Sequence, residues 1–432
     1  MTLTSFLCVA LGVTGMAVPA LAQSKAVFAH FIVGNSAGST YDDWVDDVTK
    51  AKAAGIDGFA LNIAATDTYT DTSLENAYNA ANSVGDFSCF LSFDYQSEGA
   101  WDASTVADKI NTYSGYPAQY NYTDNQPLVS TFEGGDNAGD WATIKSQTNC
   151  FFMPEWSNLG VSTAASESSI DGLFSWAAWP DGASDMTTST DQDYVNALDG
   201  KPYMMPVSPW FYTNLPQWNK NWLWRGDDLW HDRWQQVIDL QPQLVEIITW
   251  NDYGESHYIG PIRSAGIPSG ASWYVSGNPH DAWRTVLPFY IAQYKNDNAS
   301  MPAISTESVT AWYRLNPASS GSANGTTGNT ASQGQTTVDP GTVDVDAVFV
   351  SALVATLPAT VAVSIGSVQV ANWTVEFEGV SHWSVAFGSN TGDVSVVLER
   401  SGSQVAIVNG AAITTDCTNG NVNWNAWVGD ST

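Results

Sequence analysis

Along the first three hundred residues the chain switches between two hydrophobic periods. Short apolar runs at 26–34, 58–63, 88–95, 127–133, 150–156, 172–179, 202–209 and 244–250 read as buried strands. Between them stand stretches whose apolar positions recur three and four apart. One starts at Thr40, with Asp43 three positions on and Trp44, Val48 and Ala51 on one face. Others cover 73–84, 105–113, 141–147, 192–198, 228–240 and 282–294. Strand and crossover alternate eight times, which predicts an α/β fold closed into a (β/α)8 TIM-like barrel over 23–300.

From 317 to 343 Ser, Gly, Thr, Asn and Gln displace nearly all large apolar residues, the composition of a linker or long loop. From 344 to 432 the period becomes two. Short strands at 345–354, 360–365, 368–377, 381–387, 394–398 and 405–408 are separated by Gly, Pro or Asn turns, which predicts an all-β sandwich module. Residues 301–316 connect the two parts, and 310–315 also fits a first strand of the sandwich. A module set apart in this way predicts that a chain ending near Pro317 keeps activity on short soluble substrates. Residues 1–22 carry an apolar stretch closed by Ala20-Leu21-Ala22, the pattern of a secretory signal, without the usual positive charge before it.

Charge narrows the partners. Lys and Arg number 14 against 44 Asp and Glu, a formal charge of −30, which argues against nucleic acid or an anionic membrane surface. No later run is long enough to span a bilayer, so the expectation is a secreted, extracellular monomer. Beyond the signal stand Cys89, Cys150 and Cys417, so at most one disulfide forms within the chain. No Cys/His spacing suggests a metal, and no cofactor is expected. Sequons at Asn121, Asn298, Asn324 and Asn372 fit the secretory route. Charged residues are 13% of the chain and aromatics 12%, with 20 Trp. That balance favours a neutral, hydroxylated, stackable ligand, a polysaccharide above all.

In an α/β barrel, chemistry gathers at the carboxyl ends of the strands. There the sequence offers Asn62, Asp94, Glu133, Glu155 with Trp156, Trp179, Trp210 and Asp252. Asp94 shares parity with Ser92, so it should point inward. Glu133 and Glu155 either bind sugar hydroxyls or orient neighbours. The tract Trp210, Phe211, Tyr212, Trp218, Trp222, Trp224 and Trp230 is either a packed lid or a sugar platform, and His30 reads as a hydrogen-bonded core histidine. The densest stretch is Thr249-Trp250-Asn251-Asp252-Tyr253-Gly254-Glu255-Ser256-His257-Tyr258-Ile259-Gly260-Pro261. Asp252 and Glu255 are its first candidates for catalysis, flanked by Trp250, Asn251, Tyr253 and His257 as candidates for substrate contact. Asp-x-x-Glu is equally a helix capping box. Gly254 permits an extended loop, with the acids up to about 10 Å apart, or a turn with Cβ atoms about 5–6 Å apart.

Phe28-Ala29-His30-Phe31 with Gly34-Asn35, Gly55-Ile56-Asp57-Gly58-Phe59-Ala60-Leu61-Asn62, Ser92-Phe93-Asp94, the stretch from Trp250 to Pro261, and Asn423-Trp424-Asn425-Ala426-Trp427-Val428-Gly429 resemble glycoside hydrolase family 71, secreted fungal α-1,3-glucanases or mutanases. The resemblance implies hydrolysis of α-1,3-glucan by an inverting mechanism, with the catalytic carboxylates at Asp252 and Glu255. Asp94 is taken as a third carboxylate that orients the pair. A strand-end base and a loop-borne acid make Asp252 the base and Glu255 the acid. The alternatives are the same barrel acting on another α-glucan, and a secreted glycan-binding protein without hydrolysis.

Overall fold

A computed structural model describes residues 25–123 and 125–431; the signal expected at 1–22 lies outside the described residues. Eight parallel strands carry the first part: β1 (Ala26–Ile32), β2 (Gly58–Ala64), β3 (Ser88–Asp94), β4 (Gln126–Phe132), β5 (Phe151–Phe152), β6 (Leu173–Phe174), β7 (Tyr203–Val207) and β8 (Leu244–Ile247). They pair in order from β1 to β5 and from β6 through β7 and β8 back to β1. Between β5 and β6, Glu155 bridges to Phe132 on one side and Phe174 on the other. The result is an α/β architecture around a curled, parallel-rich sheet.

Two strands are far shorter than the sequence suggests. Ladders expected over 150–156 and 172–179 shrink to two residues each. Pro154 follows β5 and has no N–H to give to a neighbour. The first helix forms as its signals dictate. Tyr41–Ala53 opens on Thr40, which accepts from the Asp43 amide while Asp43 accepts from the Thr40 amide.

Side chains alternate across the sheet. Val27, Ala29 and Phe31 pack outward against the helices. Phe28, Ala60, Phe90, Leu128, Met153, Phe174, Met204 and Leu244 meet inside, one from each strand or its immediate extension. This floor is apolar and closed, so polar side chains further along the same strands are displayed above it.

Beyond residue 300 stand two four-stranded antiparallel sheets. One holds Ser308–Arg314, Ala347–Val354, Gly379–Ala386 and Ala426–Asp430; the other holds Thr360–Ile365, Val368–Thr374, Gly392–Arg400 and Ser403–Ile413. Val309, Ala311, Val348 and Val350 of the first share an apolar cluster with Val361, Val363, Val396 and Leu398 of the second. The polar segment 317–343 does not run free. Its strand Thr327–Gly328 pairs in parallel with Lys220–Trp224, which pairs antiparallel with Phe211–Leu215.

The two parts share one core. Trp210 donates its indole N–H to the Trp424 carbonyl (3.0 Å), and Trp312 donates to the Asp227 carbonyl (2.7 Å). A chain ending near Pro317 would uncover both tryptophans, so the separable module expected from composition is replaced by a shared interior. Among the described residues, no helix is long and apolar enough to cross a membrane. Cys89, Cys150 and Cys417 are free thiols, and all four sequon asparagines are exposed.

Candidate active site

The loop after β8 is zipped at its base. Thr249 donates its amide to the His257 carbonyl (2.9 Å), Ile259 returns to Thr249 (3.0 Å), and Gly260 donates to Trp250 (2.8 Å). Gly260 is required there, since a Cβ would lie 2.6 Å from the Trp250 ring. Inside this ring the chain turns compactly. The Glu255 amide donates to Asp252 Oδ1 (2.9 Å), and the Asp252 amide donates to Thr249 Oγ1 (2.8 Å). The extended alternative is thereby rejected. One oxygen of each carboxylate and a His257 nitrogen lie within 4.8 Å of one another.

This turn opens on a cleft of about 660 Å³ above the apolar floor. Asp252, Glu255, Asp94 and Asn62 line it. Asp94 Oδ1 accepts the amides of Gln96 (2.8 Å) and Ser97 (2.9 Å), which pins the carboxylate at the end of β3. Aromatic walls come from Phe132, Trp176, Phe211, Trp218, Trp222 and Trp224, so much of the aromatic tract does face the cleft. Trp218 is 56% exposed. Asp67, Tyr69 and Glu98 stand among the remaining lining residues.

The two loop acids keep side-chain exposures of only 16% and 15%, yet their charges diverge. Burial first, and then the charge of Glu255, push the Asp252 carboxyl above its ordinary range. Burial would raise Glu255 too, but the Lys220 ammonium (2.7 Å) and the hydrogen-bonded His257 ring (3.0 Å) outweigh it and hold Glu255 well below its ordinary value. The two environments therefore pull in opposite directions, Asp252 upward and Glu255 downward, an asymmetry that the strand-end argument for Glu255 as the acid did not contain. The three-ligand grouping of Asp252, Glu255 and His257 is a poor cation site, because an ammonium already stands on Glu255.

The other candidates fall away from the cleft. Glu155 is fully buried, accepting from the amide (2.9 Å) and hydroxyl of Ser157 and from the Glu133 amide (3.2 Å). Burial and the charge of Glu133 push it up to about 7. Its position in the ladder makes it a clamp between β4 and β6. Glu133 accepts from the Asn158 amide (3.1 Å) and does not line the cleft. Trp156 packs against Phe152, Trp210 is tied to Trp424, and Trp250 lies against Phe59. Trp179 stands behind the wall, stacked on Trp224 with its N–H on the Trp210 carbonyl. Asn251 bonds both polar atoms to the Ile32 backbone (2.8 and 3.0 Å), and Tyr253 donates to the Pro261 carbonyl (2.7 Å). These side chains are engaged within the protein and are absent from the lining of the cleft. His257 is fully buried behind the acids.

Sequence reasoning passed over Lys220 and Glu246, while His30 is the buried, hydrogen-bonded histidine that was expected. Lys220 is one of 14 basic residues, standing within an aromatic tract of an acidic chain, which was a usable signal. Glu246 sits mid-strand in an apolar run and bonds His30 at 2.6 Å, and His30 forms part of the cleft floor.

The family model for Glycosyl hydrolase family 71 matches residues 23–432. A mutanase of Penicillium rubens is 41% identical over 303 residues, covering 68% of this chain and 66% of that protein. A glucan endo-1,3-alpha-glucosidase of Schizosaccharomyces pombe is 41% identical over 311 residues, covering 68% of this chain and 72% of that protein. Among solved structures, a GH99 endo-alpha-mannosidase from Bacteroides thetaiotaomicron aligns with a TM-score of 0.48 at 12% identity, covering 63% of this chain and 98% of that one.

Proposed function

The chain belongs to glycosyl hydrolase family 71, and from that premise we propose that it hydrolyses α-1,3-glucosidic linkages of α-1,3-glucan. The observation that carries the reading is the Asp252–Glu255 turn opening on an aromatic-walled cleft. Aromatic faces suit neutral sugar rings, and a glycosidic bond needs a proton donor and a second carboxylate.

In this reading Asp252 donates the proton to the leaving oxygen. Glu255, fixed as an anion, keeps that proton on Asp252 by like-charge proximity. Both Glu255 oxygens are occupied, by Lys220 and by His257, which leaves it a weak base. The carboxyl groups of an inverting pair stand roughly 6.5–9.5 Å apart to admit water, and here one oxygen of Asp252 and one of Glu255 approach within 4.8 Å. Inversion then calls for a base further across the mouth, and Asp94 is that carboxylate. Lys220 feels the charges of Glu255, Asp252 and Asp94 together, which supports a site shared by all three.

The curled sheet is read as a closed (β/α)8 barrel over 23–300, with Glu155 completing the ring. The C-terminal sheets are read as a β-sandwich over 344–432 that takes its strand Ser308–Arg314 from the connection. Secretion as a glycosylated protein is read from the leader pattern and the exposed sequons.

The test is release of reducing ends from a panel of α-1,3-, α-1,4- and mixed-linkage glucans, followed by chemical rescue of the base. Activity confined to α-1,3 linkages is expected, with azide restoring Asp94→Asn and yielding a β-configured glycosyl azide. Azide rescue of Asp252→Asn alone would return the base to Asp252, and rescue of Glu255→Gln alone would move it to Glu255. Binding without any reducing ends would leave a glycan-binding protein.

A further inference from the structure

One cleft residue, Gln333, comes from outside the barrel sequence. The wall strand Lys220–Trp224 carries Lys220, Trp222 and Trp224 to the cleft, and its outer edge is paired with Thr327–Gly328. Past that strand the chain makes a tight turn. Gln335 Oε1 accepts the Trp224 indole N–H (2.8 Å) and the Thr330 amide (3.0 Å), so one amide oxygen fixes both the turn and the ring. Two residues earlier, Gln333 is exposed and lines the cleft. Trp224 in turn stacks on Trp179 (5.3 Å) and packs against Phe211 (4.3 Å), so its tilt sets the shape of the aromatic wall.

We infer that the segment 327–335 completes the sugar-binding cleft, with Gln333 contacting a glucose hydroxyl of the bound chain and Gln335 acting as a positioning residue for Trp224. This rests on the reading of the cleft as an α-1,3-glucan site. A carboxamide suits the task, because it donates and accepts at once, as a sugar hydroxyl also does. A packed indole whose N–H has lost its acceptor rotates or draws in water, so the effect of Gln335 reaches substrate through the ring.

The experiment measures kcat and KM of the full chain on a soluble α-1,3-linked gluco-oligosaccharide. Gln335→Leu removes the acceptor and keeps the volume; KM is expected to rise about fivefold, the loss of one hydrogen bond, with a smaller change in kcat. Gln335→Glu keeps an acceptor oxygen and is expected to return KM to within about twofold of wild type, which a merely structural loss would not do. Gln333→Ala, on an exposed turn, leaves the fold intact and is expected to raise KM by a similar factor. Wild-type KM in both Gln333→Ala and Gln335→Leu would overturn the inference while the glucanase reading stands. A wild type that releases no reducing ends would overturn that reading, and this inference with it.

Discussion

The Glu133–Glu155 pair and the Asp252–Glu255 pair look alike in the sequence. Each is two acids just beyond the carboxyl ends of parallel strands, next to a tryptophan. In three dimensions, backbone amides and a serine close around Glu155, and Glu133 gives its own amide to it. Among the described residues no cation lowers that pair, and burial drives both carboxyls upward. Around Glu255 stand an ammonium and an imidazole, and its neighbour Asp252 is driven the other way. Acids alone do not make a site; an asymmetric supply of positive charge and an opening to solvent do.

Neutralising one acid in each pair gives the largest contrast. Asp252→Asn is expected to lose roughly 10²–10⁴-fold in turnover, the usual worth of general acid assistance. Glu133→Gln is expected to stay within about threefold, since it removes no group from the cleft. Steady-state kinetics on polymer compares them, and similar losses would erase the distinction drawn between the pairs.

A middle-sized effect is expected from Lys220→Met. Without the ammonium, Glu255 rises toward the ordinary carboxylate range, and the acidic limb of the kcat/KM profile moves to higher pH by about one unit, a tenfold loss at low pH. A profile that only drops, with no shift of that limb, would show Lys220 to be a packing residue.

The smallest effect on turnover, and the clearest on stability, is expected from Glu155→Gln. A carboxyl raised from 4.5 to about 7 binds its proton in the folded chain before the unfolded chain does. Its contribution to stability is full below about 4.5 and is lost as pH climbs to about 7. Asp344, buried and likewise raised to about 7, acts in the same direction. The melting temperature should therefore fall across that window, and Glu155→Gln should flatten part of the fall with turnover held within about threefold. An unchanged slope would mean that Glu155 is ionised throughout.

The periodic part of the fold was legible. Alternation in 58–63 and 88–95 became β2 and β3 nearly residue for residue, and Asp94 faces inward as its parity with Ser92 required. Thr40 and Asp43 capped their helix as expected. These outcomes depend on neighbours a few positions away, and the chain itself states them. Asp252, Glu255, Asp94 and Asn62 were likewise found at one mouth, because strand ends in a parallel sheet converge by construction.

What escaped the sequence depends on partners anywhere from two to more than two hundred residues away. Asn251 spends its amide on Ile32, Trp210 its indole on Trp424, and Glu155 its carboxylate on amides of its own clamp. None of these partners has a fixed spacing, and a polar side chain satisfied by backbone looks, in sequence, like one waiting for substrate. The polar segment 317–343 misled for the same reason. Its composition said flexible, but an unpaired strand edge at Lys220–Trp224 offered it hydrogen bonds, and pairing there outweighed its low hydrophobicity. That Glu255 is lowered while Asp252 is raised likewise depends on Lys220, thirty-five positions before Glu255 and 2.7 Å from it, since charge acts through distance in space and takes no account of distance along the chain.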